Sequence, residues 1–190
     1  MSQRRDSILD AAQALFLAHG YAGTTIADIR DASGASTGSI YHAFGSKEGI
    51  ALALVQRAVQ AWRLATQAAQ RGDGIEAQIR ASVEGLLAWG TRDPEGFRVM
   101  DELRAVGERG KAGDALAELL DRGKTASRDL LARHAQLGEV RDLPWPLAPA
   151  LILGPAYEYL RILQRYPSTE PISAILPRLS DAAWRAVAAE

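Results

Sequence analysis

Cysteine is absent from the 190 residues. Its absence excludes disulfides and thiol catalysis and suits a reducing compartment, so a cytoplasmic location is expected. No run approaches the ~18 to 20 consecutive apolar residues of a membrane span. No apolar segment follows Met1-Ser2-Gln3-Arg4-Arg5-Asp6 either, so neither a membrane helix nor a secretion signal is expected. Alternating β-branched runs that would read as strands are missing, as are repeats and low-complexity tracts. An excess of positive charge is missing as well. The net charge is −1, and up to residue 50 the basic residues Arg4, Arg5, Arg30 and Lys47 face the acidic Asp6, Asp10, Asp28, Asp31 and Glu48. A surface that grips a polyanion usually shows a basic excess. Any such grip here must rest on a few placed cations, helix N-termini and hydroxyls.

What the chain does have is helix-forming residues and 47% apolar content, enough for a real core. The expected fold class is all-α with about nine helices. Ile8, Ala12, Leu15 and Phe16 fall on one face of a first helix from about Arg5 to His19, stopped by Gly20. Thr25 caps a second helix, with Asp28 three residues on in a capping-box arrangement. Ser36 caps a third, short helix through His42, and Ser46 a fourth, long one reaching Gln70. After a break at Arg71-Gly72-Asp73-Gly74, helical patterns resume over 75–91, 94–106, 112–136, 147–166 and after Pro171 to about Ala188. Glycine-rich residues 107–113, the turn Leu143-Pro144-Trp145-Pro146 and the segment Pro167 to Pro171 separate them. Pro155 should kink its helix or mark its start.

The informative segment is Thr24 to Ile50. Two short helices meet at Gly34, where a tight turn needs φ > 0 without steric cost. The second of them, about seven residues and roughly 10 Å long at 1.5 Å per residue, fits a major groove about 12 Å wide. Its small residues Ser36, Thr37, Gly38 and Ser39 would let the backbone approach base edges, while Ile40 and Phe44 turn inward. Tyr41 and His42 lie where they would reach phosphates. Lys47 sits in the first turn of the next helix, where a cation opposes the dipole, so its position points to an external anion.

Residues 24–50 resemble the DNA-binding signature of the TetR family of bacterial repressors. Thr25, Ile29, Ala32, Gly34, Ser36, Gly38, Ile40, Tyr41, Phe44, Ser46, Lys47 and Glu48 match it, and Ala11-Ala12, Leu15-Phe16 and Gly20-Tyr21 before them resemble the family too. Arg30 stands where the family usually has alanine, and Ser33 and Ala35 replace the usual residues around the glycine; the Arg30 stem must snorkel outward. The resemblance implies an N-terminal three-helix helix-turn-helix domain over 1–46 and a C-terminal helical effector-binding and dimerisation domain over 47–190. It also implies a homodimer on double-stranded operator DNA, released by a small effector. Thr25, Tyr41, His42 and Lys47 would hold phosphates, Ser36, Thr37 and Ser39 would face bases at the close approach Gly38 allows, and Arg4 and Arg5 would form an arm.

Other motifs carry less. Gly34-Ala35-Ser36-Thr37-Gly38 fits a nucleophile elbow, which works only on a strand-to-helix turn. Gly123-Lys124-Thr125 lacks the first glycine of a P-loop, Glu118 standing there. His19, His42 and His134 have no metal-ligand spacing, so no metal, cofactor or catalytic residue is expected. Among the scattered aromatics Trp62, Trp89, Phe97, Trp145, Tyr157, Tyr159 and Trp184, core packing is the commoner role for any one. As a set they suggest a cavity for an apolar or aromatic effector, with Trp62, Trp89, Phe97, Met100, Tyr157 and Tyr159 as candidate lining. A second reading stays open here: a helical small-molecule-binding or interaction module with a degenerate DNA-binding domain, favoured by Arg30 and the acidic balance.

Overall fold

The computed structural model describes residues 3–109, 113–166 and 168–189. Among them lie nine helices: α1 (Gln3–Gly23), α2 (Ile26–Ser33), α3 (Thr37–Phe44), α4 (Lys47–Ala69), α5 (Gly74–Arg92), α6 (Pro94–Glu108), α7 (Asp114–Gln136), α8 (Leu147–Arg165) and α9 (Ile172–Val187). The only extended pairing among the described residues is an isolated antiparallel bridge between Val140 and Ala188. The all-α expectation holds.

Several boundaries differ in detail from the sequence reading. Gly20 breaks α1 as expected, at φ 73 and ψ 161, but the chain regains helix through Gly23. Arg4 and Arg5 belong to the first turns of α1 rather than to an arm. Pro155 lies inside α8, not at its start. Helix α6 continues past Gly107 to Glu108; residues 110–112 of the expected glycine-rich break, with Pro167 and Met1-Ser2, lie outside the described residues.

The chain forms two compact units. The first holds residues 1–59 and 95–122, the second 60–94 and 123–190. In the first, Ile8, Leu9, Ala12 and Phe16 of α1 pack with Ile29 of α2, Ile40 of α3, and Ile50, Leu54 and Val55 of α4. Val99, Leu103 and Val106 of α6 and Leu116 of α7 complete this core. Each such fully buried large side chain contributes about 1.5–3 kcal/mol. The Phe16 and Tyr21 rings meet edge to face at 5.3 Å, and Arg57 ties α4 to α1 through Asp10 (2.7 Å) and Gln13 (2.8 Å).

In the second unit α5 packs against α8 and α9, which also pack on each other. Small residues set the approach. A Cβ on Gly85 would lie 2.5 Å from the backbone of Thr66, so the last turns of α4 cross α5 almost backbone to backbone. Arg80 of α5 pairs with Glu76 (2.7 Å) and with Asp181 of α9. Trp62 donates from its ring N–H to the Ser82 carbonyl at 3.2 Å and meets Tyr157 edge to face at 6.4 Å.

Candidate nucleic-acid interface

Thr25 opens α2 with a closed capping box. Its hydroxyl accepts from Asp28 N–H (3.2 Å), and its own N–H donates to the Asp28 carboxylate (2.8 Å). The Thr25 hydroxyl bonding Asp28 holds that carboxyl below its usual range. Gly34 ends α2 in the left-handed region, at φ 67 and ψ 8, with its N–H donating to the Arg30 carbonyl. Ser36 caps α3, its oxygen accepting from Ser39 N–H at 3.2 Å while the two hydroxyls lie 2.9 Å apart. Helix α2 precedes this turn, so Ser36 is a cap and not a nucleophile on a strand-to-helix elbow. The Gly123-Lys124-Thr125 stretch likewise lies within α7.

The face that α3 presents is small and polar. Thr37, Gly38, Tyr41 and His42 are exposed, Tyr41 at 49%, while Ile40 is fully buried. Phe44 is half-buried against the core. Arg4, Arg5, Ser36, Gly38, Ser39 and His42 border a shallow hollow between α1 and α3. The hydroxyls of Thr25, Ser36 and Ser39 are engaged in caps, so their reach outward is shorter than that of Thr37, Tyr41 and His42.

The cations do work that the sequence did not reveal. The Lys47 ammonium donates to the carbonyls of Tyr21 (2.9 Å) and Thr24 (2.8 Å) and lies 4.5 Å from the centre of the Tyr21 ring. Helix α1 has no basic residue in its last turn, so Lys47, far along the chain, serves the Tyr21 carbonyl at its negative end and the Thr24 carbonyl just beyond it. An ammonium has three donors, and these two carbonyls take two of them. Arg5 does the same for α3, donating to Ala43 O at 2.6 Å with its guanidinium 4.3 Å over the Phe44 ring. Arg30 does snorkel outward. It is exposed and pairs with Asp31 at 2.7 Å, leaving the α2–α3 packing undisturbed.

Two further residues escaped the sequence reading. Buried Thr24 donates its hydroxyl to Gly20 O at 3.0 Å, closing the α1–α2 link. Glu102 of α6 accepts from Tyr21 N–H at 2.9 Å, just past the Gly20 break. Only the second threonine of the Thr24-Thr25 pair read as a cap, and nothing local flags Glu102. The buried Tyr21 hydroxyl lies near Glu48 without reaching hydrogen-bonding geometry, so burial first and the Glu48 charge second push its phenol up to about 12.

The candidate pocket residues are spread over both units. Trp62, Trp89, Tyr157 and Tyr159 belong to the second, and buried Phe97 and Met100 to the first. His134 of α7 contacts Glu139 and is mostly covered. No group of three or more acidic, histidine or cysteine side chains with metal-holding geometry occurs among the described residues. No described helix is long and apolar enough to cross a membrane.

Capped helices turning at Gly34, with Ile29 and Ile40 buried in one core and an exposed polar face on the second helix, define a helix-turn-helix DNA-binding protein. A family model described as bacterial regulatory proteins, tetR family, matches residues 8–54. The chain is 31% identical over 181 residues to the HTH-type transcriptional repressor AcnR of Corynebacterium efficiens, covering 90% of this chain and 88% of that one. It is 49% identical over 49 residues to the repressor KstR2 of Rhodococcus jostii, 26% of this chain and 24% of that one. A TetR family transcription regulator from Marinobacter aquaeolei VT8 shares the fold with a TM-score of 0.79 at 22% identity, over 98% of this chain and 96% of that one. The chain belongs to the tetR family of bacterial regulatory proteins, and its function is that of a DNA-binding transcriptional regulator of the repressor type. With the helix-turn-helix intact and Arg30 outside its packing, Arg30 no longer favours the degenerate-domain reading, which keeps only the acidic balance behind it.

Proposed function

We propose that this protein acts in the cytoplasm as a homodimeric repressor whose operator grip is released by a small apolar or aromatic effector. Residues 1–46 form the DNA-reading domain in this reading, and residues 47–190 form the effector-binding and dimerisation domain. The observation that carries the proposal is the α3 face: exposed Thr37 and Gly38 at its capped start, flanked by exposed Tyr41 and His42. Two such helices would enter successive major grooves about 34 Å apart on a near-palindromic site. Thr37 and Ser39, with Ser36 at the edge, would face bases. Tyr41, His42 and the start of α2 at Thr25 would hold phosphates, with Lys47 adding its remaining donor. The exposed apolar side chains Leu147 and Ile162 on α8 support a second copy as partner.

Trp62, Trp89, Tyr157 and Tyr159, with Phe97 and Met100 on α6, remain the candidate effector contacts. Helix α6 shares the core of the DNA-reading unit through Val99 and Leu103 and meets Tyr21 through Glu102. A ligand that favours one position of α6 would therefore bias that unit, working only through its differential affinity for the two states. The test is selection of DNA fragments by the purified protein, repeated with Thr37→Val. The expected result is a palindromic site whose base preference changes at one symmetric pair of positions. Uniform weakening at every position would remove Thr37 from direct readout, and no selected sequence would remove the operator reading.

A further inference from the structure

We propose that the second unit carries a binding site for a small carboxylate with an apolar or aromatic body, in a cleft at the turn between α7 and α8. The cleft has a volume of about 300 Å³, at the lower end of ligand pockets. That size suits a single ring or a short chain. Leu131 of α7, Val140 and Leu143 of the turn, and Val187 of α9 give it apolar walls, and half-buried Trp145 supplies an aromatic face. None of the candidate effector contacts named above is among its walls.

The guanidinium groups at its edge set the ligand class. Arg128 and Arg141 border the cleft together with the carboxylate of Asp142. Arg128 also pairs with Asp129 at 3.6 Å, both of them exposed, so its charge is shared with that carboxylate. Guanidinium groups are weakly hydrated and match a carboxylate in a two-pronged geometry. The rim is also held in place. Arg141 N–H donates to Val187 O at 2.8 Å and Ala189 N–H to Glu139 O at 3.4 Å, so the bridge fixes the non-helical turn against the end of α9. A segment fixed by backbone bonds holds the Arg141 backbone in place, so only its side chain has to order at the moment of binding.

The inference does not depend on whether the cleft controls operator release. It is tested on the full chain by titration calorimetry with three probes of one shape: phenylacetate, 2-phenylethanol and phenethylamine. The expected order is phenylacetate tightest, at least ten-fold over phenethylamine and weaker at high salt. Arg141→Gln should lower phenylacetate affinity at least five-fold, and Ala135→Phe, which fills the cleft, should abolish it. Arg128→Gln on the other side of the rim gives a second reading of the charge effect. Equal binding of the three probes, no binding of phenylacetate, or full binding by the Ala135→Phe protein would each overturn the proposal.

Discussion

Lys47→Met removes the ammonium and keeps the stem. Two charge-assisted hydrogen bonds then disappear, to Tyr21 O and Thr24 O, along with the contact to the Tyr21 ring. Bonds to a charged group are each worth about 1.5–3 kcal/mol. Here the ammonium is only partly buried and water can reach the freed carbonyls, so about 2 kcal/mol for the pair is the better figure. The ring contact adds about 0.5–1 kcal/mol. A loss near 3 kcal/mol would lower the melting temperature of a chain this size by about 6–12 °C. Thermal denaturation followed by circular dichroism checks it, and amide exchange should show the loss concentrated around Tyr21 to Thr25. Operator affinity should fall, while its salt slope, read by fluorescence anisotropy against salt, changes by less than about 1 per dimer. Unchanged melting together with a slope shallower by about 2 would refute the reasoning, because Lys47 would then be spending its charge on phosphate and not on α1.

The wild-type salt dependence should itself be shallow: with two to four neutralised phosphates per dimer the slope is about −2 to −4, and a measured slope steeper than about −6 would contradict the low charge of the reading unit. Gly85→Ala should cost about 2–3 kcal/mol, because its Cβ meets the Thr66 backbone and not a side chain that can move aside; a melting point equal to wild type would mean that α4 and α5 separate easily. Tyr21, with its phenol raised from 10 to about 12, keeps its proton when folded at pH values where the unfolded chain has lost it. Its contribution is therefore present below pH 10 and lost as pH rises toward 12, so alkaline unfolding should be later in Tyr21→Phe, and ultraviolet titration should show one late tyrosine in the wild type alone.

The helix-turn-helix was legible in the sequence because its determinants are local. Thr25 with Asp28, Ser36 with Ser39, and Gly34 between them are interactions over two to four residues, and each holds in the structure. What remained hidden was long-range. Lys47 reads as a misplaced cation when only α4 is considered; its partners lie in the last turn of α1 and in the link after it, 26 and 23 residues earlier. Val99, Leu103 and Glu102 read as an ordinary amphipathic helix, and nothing in their spacing says which core they join. The turn around Trp145 reads as a proline-rich break, since a cleft made by α7, α8 and α9 together has no periodic signature.

The missing basic excess now has a physical consequence. Of the four cations in the first fifty residues, Lys47 and Arg5 serve helix carbonyls and Arg30 is paired with Asp31. Arg4 alone has no side-chain hydrogen bond or ion pair among the described residues. Charge that stabilises the motif adds little to a field reaching DNA, so binding must come mostly from hydrogen bonds and close contacts of α3. Those act over about 3 Å, whereas a field of exposed charge acts over a Debye length of about 8 Å at physiological salt. A strongly basic domain shifted by 2 Å stays attracted to the operator; this one would lose its contacts. In the proposed dimer the scarcity of charge would thus make affinity sensitive to the spacing of the two reading helices, which the proposed effector would act on through a shift of a few ångströms.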